Sequence, residues 1–171
     1  PPRELTANRP IETVDDFEGL KIRTAESVVV QRTMQALGAQ PIVISLNDLY
    51  MSLRQNTVDA QEADFITVQN SSLFEVQDYL MRTDYIRDVP IFCISEAIWQ
   101  DMTPEQQQMM IDCAAEATKV GDELTTAQIE ESFEFLKTEM EYVEIDIPSI
   151  QQELSTLYED LDGEAWAEGA Y

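Results

Sequence analysis

Apolar residues arrive in short bursts separated by polar turns, and the spacing inside each burst identifies the element it predicts. Residues 13–16 (Thr-Val-Asp-Asp) read as a capped helical turn leading to Gly19. Residues 20–23 make a short apolar-rich strand. Residues 27–37 then place Val28, Val29, Met34 and Leu37 at helical spacing, with Gly38 as the stop. A second strand is predicted over 41–44. Asn47 caps a helix over 48–54, and a third strand over 58–62 leads into a helix over 65–74. This β-α-β-α-β-α alternation predicts a small parallel sheet flanked by helices.

The pattern then changes. Residues 79–87 and 89–95 are β-rich, interrupted by Pro90, with no helix between them. That suits a crossing between two lobes or an antiparallel excursion. Thr103-Pro104-Glu105-Gln106 is a strong helix start, with a capping threonine, proline at the first position and a capping-box glutamine. Apolar residues recur at Met110, Ala114, Ala117, Leu124, Phe133, Leu136 and Met140. They sustain one helix of about 36 residues, about 54 Å long, with Gly121 as a site for a kink; the repeat is too irregular for a coiled coil. A last strand is expected over 142–145 and a last amphipathic helix over 148–161, with 162–171 a loosely held tail.

Composition narrows the function classes. The 171 residues are 44% apolar, with a mean hydropathy of −0.27, which fits a globular chain with one ordinary core. No run of about 18 apolar residues offers a bilayer span. The net charge is −24, with 15 acids against 8 bases in residues 1–100 and 19 against 2 in 101–171. Such a surface repels nucleic acid and anionic membranes, so neither is expected as a partner. Pro1-Pro2-Arg3 in place of an initiating Met reads as a trimmed or truncated edge.

Histidine is absent, which removes Ser-His-Asp and Cys-His nucleophilic chemistry and ordinary His-containing zinc sites. Five glycines, none clustered, leave no phosphate-cradling loop. Neither an enzyme, a cofactor nor a metal is expected. Cys93 and Cys113, each flanked by apolar residues, are expected as buried free thiols, with a disulfide as the alternative outside the cytoplasm.

Arginines are scarce enough to weigh singly. Arg9, Arg32 and Arg54 fall on predicted turns or helix surfaces and are expected to be solvated. Arg23 ends the first predicted strand. Open α/β sheets bind ligands at that edge, and a guanidinium fork suits a carboxylate bidentately. A structural ion pair is the competing role for Arg23. Arg3 precedes the first predicted helix.

The run Arg9-Pro10-Ile11…Thr13…Asp16-Phe17-Glu18-Gly19-Leu20-Lys21-Ile22-Arg23 resembles the pattern RPI-x-T-x-x-D-(L/F)-x-G-L-K-(I/L)-R-V-P of the DctP-type solute-binding proteins of tripartite ATP-independent periplasmic (TRAP) transporters. Further blocks follow in order: Ala36-Leu37-Gly38-Ala39-Gln40-Pro41, Asn47-Asp48-Leu49-Tyr50-Met51-Ser52-Leu53-Arg54, Val58-Asp59-Ala60-Gln61-Glu62, Phe74-Glu75-Val76-Gln77-Asp78-Tyr79-Leu80 and Thr103-Pro104-Glu105-Gln106-Gln107. Agreement runs from about residue 3 to 161, nearly the whole chain.

The resemblance implies an α/β, periplasmic-binding-protein-like lobe with a small mostly parallel sheet flanked by helices, plus a long helix and a partial second lobe. Residues 1–88 and 129–171 would form the second ligand-binding lobe, and 89–128 a returning segment of a first lobe otherwise absent from these residues. The implied function is that of a periplasmic or extracytoplasmic receptor. It would bind a small organic acid and deliver it to the membrane permease subunits. Arg23 matches the family's carboxylate-clamping arginine, and Arg3, in Arg3-Glu4-Leu5-Thr6, a second substrate arginine. Ala63 stands where the family has an asparagine that contacts ligand, and Thr24-Ala25 replaces Val-Pro, bringing in the Thr24 hydroxyl. Leu46, Tyr50 and Phe65, at strand ends or early helix turns, are further candidates for cleft walls. Apolar surface left by the absent lobe predicts either self-association or derivation from a longer chain. The rival reading is a stand-alone acidic α/β interaction domain whose strand-end arginines pair with its own carboxylates.

Overall fold

The computed structural model describes residues 1–87 and 89–169; residue 88, where the expected lobe boundary falls, and residues 170–171 lie outside them. Six strands form one mixed sheet: β1 (Glu4–Ala7), β2 (Lys21–Thr24), β3 (Gln40–Val43), β4 (Ala60–Ala63), β5 (Tyr79–Met81) and β6 (Glu141–Val143). Their spatial order is β3-β2-β4-β1-β5-β6. The β2–β3, β2–β4 and β5–β6 ladders are parallel, while β1 runs antiparallel to both β4 and β5.

Helix α1 (Val28–Ala36) joins β2 to β3, α2 (Leu46–Arg54) joins β3 to β4, and α3 (Phe65–Asn70) follows β4. The predicted alternation is therefore present, with boundaries shifted by at most two residues except for the helix expected over 65–74. That helix ends at Asn70 and gives way to a 3₁₀ turn over Leu73–Glu75. Gly38 ends α1 with φ +88°, a left-handed conformation that costs glycine little.

Strand β1 departs from the sequence expectation. No element is predicted from sequence over Glu-Leu-Thr-Ala, yet all four residues are buried at the centre of the sheet. Its polar members find partners far along the chain. Glu4 accepts from the Thr83 and Asp84 amides at 2.5 and 3.1 Å, and Thr6 donates to Gln77 while accepting from Gln61. The β-rich stretch 79–95 yields less strand than expected. Only Tyr79–Met81 joins the sheet, Arg87 makes one antiparallel bridge to Pro2, and 89–95 forms no regular element.

The sheet separates two apolar clusters. One gathers Leu5, Phe17, Leu20, Ile22, Met34, Met81 and Ile150; the other gathers Leu49, Leu53, Phe65, Val68, Leu80, Phe133 and Leu136. Helix α4 (Glu96–Asp101) precedes α5 (Pro104–Glu139), which runs unbroken through Gly121 for 36 residues. Only its last turns are seated: Phe133 stacks on Phe65 at 4.8 Å between centroids, and Leu136 is fully buried. Met109, Met110, Ile111, Val120 and Leu124, earlier on the same helix, are exposed, as are Val89, Ile91 and Phe92 before it.

The Thr103 hydroxyl accepts from the Gln106 amide at 3.3 Å, and the Gln106 side chain accepts from the Thr103 amide at 2.9 Å. Losing such a cap costs about 1 kcal/mol. The first turns of α5 pack against little, so Thr103→Ala is expected to open them locally while leaving Tm unchanged. Faster amide exchange confined to residues 104–110 is the readout; a Tm drop of several degrees would contradict it.

The remaining expectations divide. The last helix is two pieces, α6 (Ile147–Glu153) and α7 (Leu157–Asp160). The tail is tied down: Asp162 accepts from the Trp166 indole at 3.1 Å and from the Gly169 amide, and Arg32 on α1 forks onto Glu164. Cys93 and Cys113, expected to be buried, are free and exposed. They lie where flanking apolar residues face solvent too.

Candidate functional site: an arginine-bearing strand edge

The register brings the carboxyl ends of β2 to β6 to one edge of the sheet, together with the amino end of β1. Helices α1, α2 and α3 start from that same edge, capped by Ser27, Ser45 and Asp64. Their positive ends therefore lie beside the strand ends. The chain leaves β2 for β3 on one side and returns to β4 on the other. The β2–β4 gap is thus the point where the strand order reverses, the place where open α/β sheets form a ligand crevice.

Arg23 stands in that gap, level with Gln61 of β4 and Ile42 of β3. It is only 5% exposed. Its Nε donates to the Ile44 carbonyl at 2.8 Å. That is its one hydrogen bond among the described residues, and no carboxylate of theirs lies within ion-pair reach of it. Burial pushes the guanidinium below its ordinary value, the Glu62 carboxylate opposes that shift, and Arg3 adds to it. Arginine stays charged regardless, so the crevice holds a desolvated cation that no carboxylate of the described residues pairs directly. The ion-pair role left open for Arg23 is not the one it takes.

Arg3 takes that role instead. Its Nε donates to Glu62 Oε2, and its Nη2 donates to Glu62 Oε1 at 2.9 Å and to the Glu62 carbonyl at 3.2 Å. The Glu62 side chain is fully buried and that of Arg3 is 16% exposed. The Tyr85 hydroxyl also donates to Glu62 Oε2, at 3.0 Å. Burial first, then the neighbouring carboxylate, holds that hydroxyl well above its ordinary value, so it remains a neutral donor. Arg23 and Arg3 thus bring two guanidiniums to this edge of a chain of net charge −24, and Glu62 is tied to Arg3.

The other sequence candidates scatter. Thr24 and Ala63 lie at the same edge, but Thr24 is fully buried and its hydroxyl has no partner. Leu46 opens α2 two residues beyond the carbonyl that Arg23 holds, and its side chain is exposed. Tyr50 lies one turn further and donates to Glu75 at 2.8 Å. Phe65, expected as a cleft wall, is 1% exposed and belongs to the core, because its ring is spent on the stack with Phe133. Sequence reading did not assign Glu62 or Tyr85. The usable signal was a glutamate inside a strand buried on both faces, which demands a cationic partner.

Glu4, beside this cluster, has one carboxylate oxygen without a partner. Burial raises its pKa above the ordinary value, with the Asp84 and Thr83 amides opposing. An acid whose folded pKa is raised holds its proton more readily in the folded state. Its charge therefore costs stability at neutral pH, and that cost fades as pH falls toward the unfolded value near 4.5. Glu4→Gln is expected to stabilise the fold at pH 7. The gain should shrink below pH 4.5 in denaturant titrations, and a destabilisation at pH 7 would contradict this account.

The chain resembles known proteins over almost its full length. Residues 2–163 match the family described as bacterial extracellular solute-binding protein, family 7 (DctP). The sialic acid-binding periplasmic protein SiaP of Vibrio cholerae is 27% identical over 161 residues, which cover 94% of this chain and 50% of that protein. The 2,3-diketo-L-gulonate-binding periplasmic protein YiaO of Escherichia coli is 34% identical over 116 residues, covering 67% of this chain and 35% of that protein. The crystal structure of a TRAP periplasmic solute-binding protein from Actinobacillus succinogenes with bound L-galactonate superposes with a TM-score of 0.87 at 26% identity. That match covers 98% of this chain and 55% of the other. The chain thus spans about half the length of the relatives it matches most extensively. These relatives are solute-binding proteins and none of them is described as an enzyme. Six motif blocks in order, the six-stranded sheet and the extent of the family match lead to one conclusion: the chain belongs to family 7 of the bacterial extracellular solute-binding proteins, the DctP family.

Proposed function

We propose that these residues form the carboxylate-binding half of an extracytoplasmic receptor, which takes up a small organic acid and hands it to the permease of a TRAP transporter. The observation that carries this reading is Arg23, a buried cation at the strand-order reversal with no carboxylate partner among the described residues. An incoming carboxylate would supply the missing counter-ion, and in a semi-desolvated crevice a bidentate pair is stronger than in water. Arg3, already tied to Glu62, adds a second positive charge nearby rather than a second fork to be neutralised.

In this reading residues 1–88 and 129–171 are one lobe and 89–128 belong with the other. The exposed Val89, Ile91, Phe92, Met109 and Leu124 support that division, because so many large apolar side chains facing solvent fit a surface meant to be covered. The relatives' greater length favours covering by further chain over self-association. Closure of two lobes over the acid would exclude water and give the permease a bound shape to recognise. Family membership favours this receptor over a stand-alone interaction domain.

The test uses the full-length protein and compares L-galactonate, D-glucuronate and succinate with galactitol, a neutral polyol. At least one acid at 100 times its Kd is expected to stabilise by about 2.7 kcal/mol, seen as a Tm increase, and the polyol should have no effect. Equal shifts with acid and polyol, or none with any acid, would overturn the reading.

A further inference from the structure

The receptor reading leaves one buried group without a task. Tyr85 lies on the extended stretch that follows β5, and neighbouring residues of that stretch are joined to the chain's first residues. The Arg3 amide donates to the Ile86 carbonyl at 2.8 Å, and Arg87 bridges Pro2. The Tyr85 ring packs against the apolar cluster that contains Leu5 and Met81. Its hydroxyl reaches the same oxygen, Glu62 Oε2, that Arg3 Nε uses.

That shared oxygen has a mechanical consequence. A carboxylate held by a single arginine can rotate about its last bond and take the guanidinium with it. A third group on one of its oxygens removes that freedom. Glu62 Oε1 and the Glu62 backbone carbonyl both meet Arg3 Nη2, and Oε2 meets both Arg3 Nε and the Tyr85 hydroxyl, so Tyr85 adds to the backbone contact that already orients the fork. Phenylalanine at this position would keep the packing and lose the hydroxyl's contacts with Glu62 and Arg3.

We propose that Tyr85 is a positioning residue for ligand binding: by clamping Glu62 it fixes the orientation of the Arg3 guanidinium beside Arg23. The inference rests on the receptor reading above. It also links the arginine pair to the stretch that leads toward residues 89–128, the segment assigned to the other lobe. Fixing Arg3 before ligand arrives means less ordering is left to do on binding, and preorganisation of this kind raises affinity without adding a contact to the ligand.

The test is a double-mutant cycle in the full-length protein with Tyr85→Phe and Arg3→Lys. It is read by calorimetry with whichever of L-galactonate, D-glucuronate and succinate binds the wild type. Tyr85→Phe is expected to weaken binding about tenfold, with Tm held within a few degrees. In the Arg3→Lys background, where the fork is already gone, the same substitution should weaken binding less than threefold. A second readout needs no ligand: in arginine-¹⁵N-labelled protein the Arg3 Nε–H is expected to exchange faster in Tyr85→Phe. Unchanged affinity in Tyr85→Phe, or an equal loss in both backgrounds, overturns the proposal. If the wild type binds and Arg23→Ala does not, such a result leaves the receptor reading standing. If no acid binds the wild type, both fall together.

Discussion

Arg23→Ala, made in the full-length protein, is expected to abolish binding of the acid ligand. Truncating one member of a desolvated, hydrogen-bonded charge pair costs about 2–5 kcal/mol or more, roughly 30- to 5,000-fold in Kd. Arg23→Lys should recover little of that loss. An ammonium is a compact point charge that lacks the planar fork, and it cannot keep the Ile44 carbonyl while also meeting a carboxylate with two parallel bonds. A drop of at least tenfold is therefore expected for the lysine variant as well. The unliganded protein adds a discriminating observation. Arg23 is a buried cation without a carboxylate partner among the described residues, so its removal should leave Tm unchanged or raise it, whereas removing a structural ion-pair partner would lower it. Calorimetry and thermal unfolding on the same variants read both effects. Undiminished affinity in Arg23→Ala would end the clamp assignment.

Glu62→Ala is expected to destabilise the fold by about 3–5 kcal/mol, the range for breaking a buried charge pair by deleting one member. Three hydrogen bonds to the carboxylate are lost at once, from Arg3 Nε, Arg3 Nη2 and the Tyr85 hydroxyl, while Nη2 keeps the backbone carbonyl of residue 62. The guanidinium is largely shielded from water and can recover only part of its hydration. Glu62→Gln keeps the shape and one acceptor oxygen, so its cost should be clearly smaller, and the difference between the two variants isolates the packing from the charge. Urea titration supplies the numbers. A loss below about 1 kcal/mol for the alanine variant, the size of an exposed pair, would mean that the Arg3–Glu62 contact is not the buried pair described here.

The two predictions concern residues of very different legibility. Arg23 could be located from sequence because its context is local: a short apolar strand ending in a cation, followed by a capped helix, places it at a carboxyl edge. Glu62 was visible only as part of the Val58-Asp59-Ala60-Gln61-Glu62 block, with no role attached. Its partners sit 59 positions earlier and 23 positions later, and no spacing rule connects such distances. The same limit explains β1. Glu4 and Thr6 look like exposed residues until Thr83, Asp84, Gln61 and Gln77 arrive to satisfy them. Phe65 was misplaced for a related reason: an aromatic at the first turn of a helix can face a crevice or the core, and Phe133, 68 positions away, decides which.

The long helix shows both sides. Its start was readable because a capping box and a proline at the first position act within one turn. Its buried face was not. The apolar positions from Met110 to Met140 make one series, yet only Phe133, Leu136 and Met140 find packing partners among the described residues. Cys93 and Cys113 follow the same division, being exposed on the stretch where the neighbouring apolar residues are exposed too.

By itself the sequence determined the alternation of strands and helices through residue 70, the caps at Thr13 and Thr103 (not that of α2, which is Ser45 rather than Asn47), the order of the family's motif blocks and the position of Arg23 near a strand end. All of these depend on residues within a turn or two of one another or on their linear order. Only the tertiary structure decided that β1 enters the sheet antiparallel between β4 and β5, and that Arg3 and Tyr85 both meet Glu62 while Arg23 has no carboxylate partner among the described residues. Which third of the long helix has a core to join was settled there too. Those outcomes are set by burial and by pairing between distant segments, where the cost of an unsatisfied charge or amide selects one partner from many that the sequence offers.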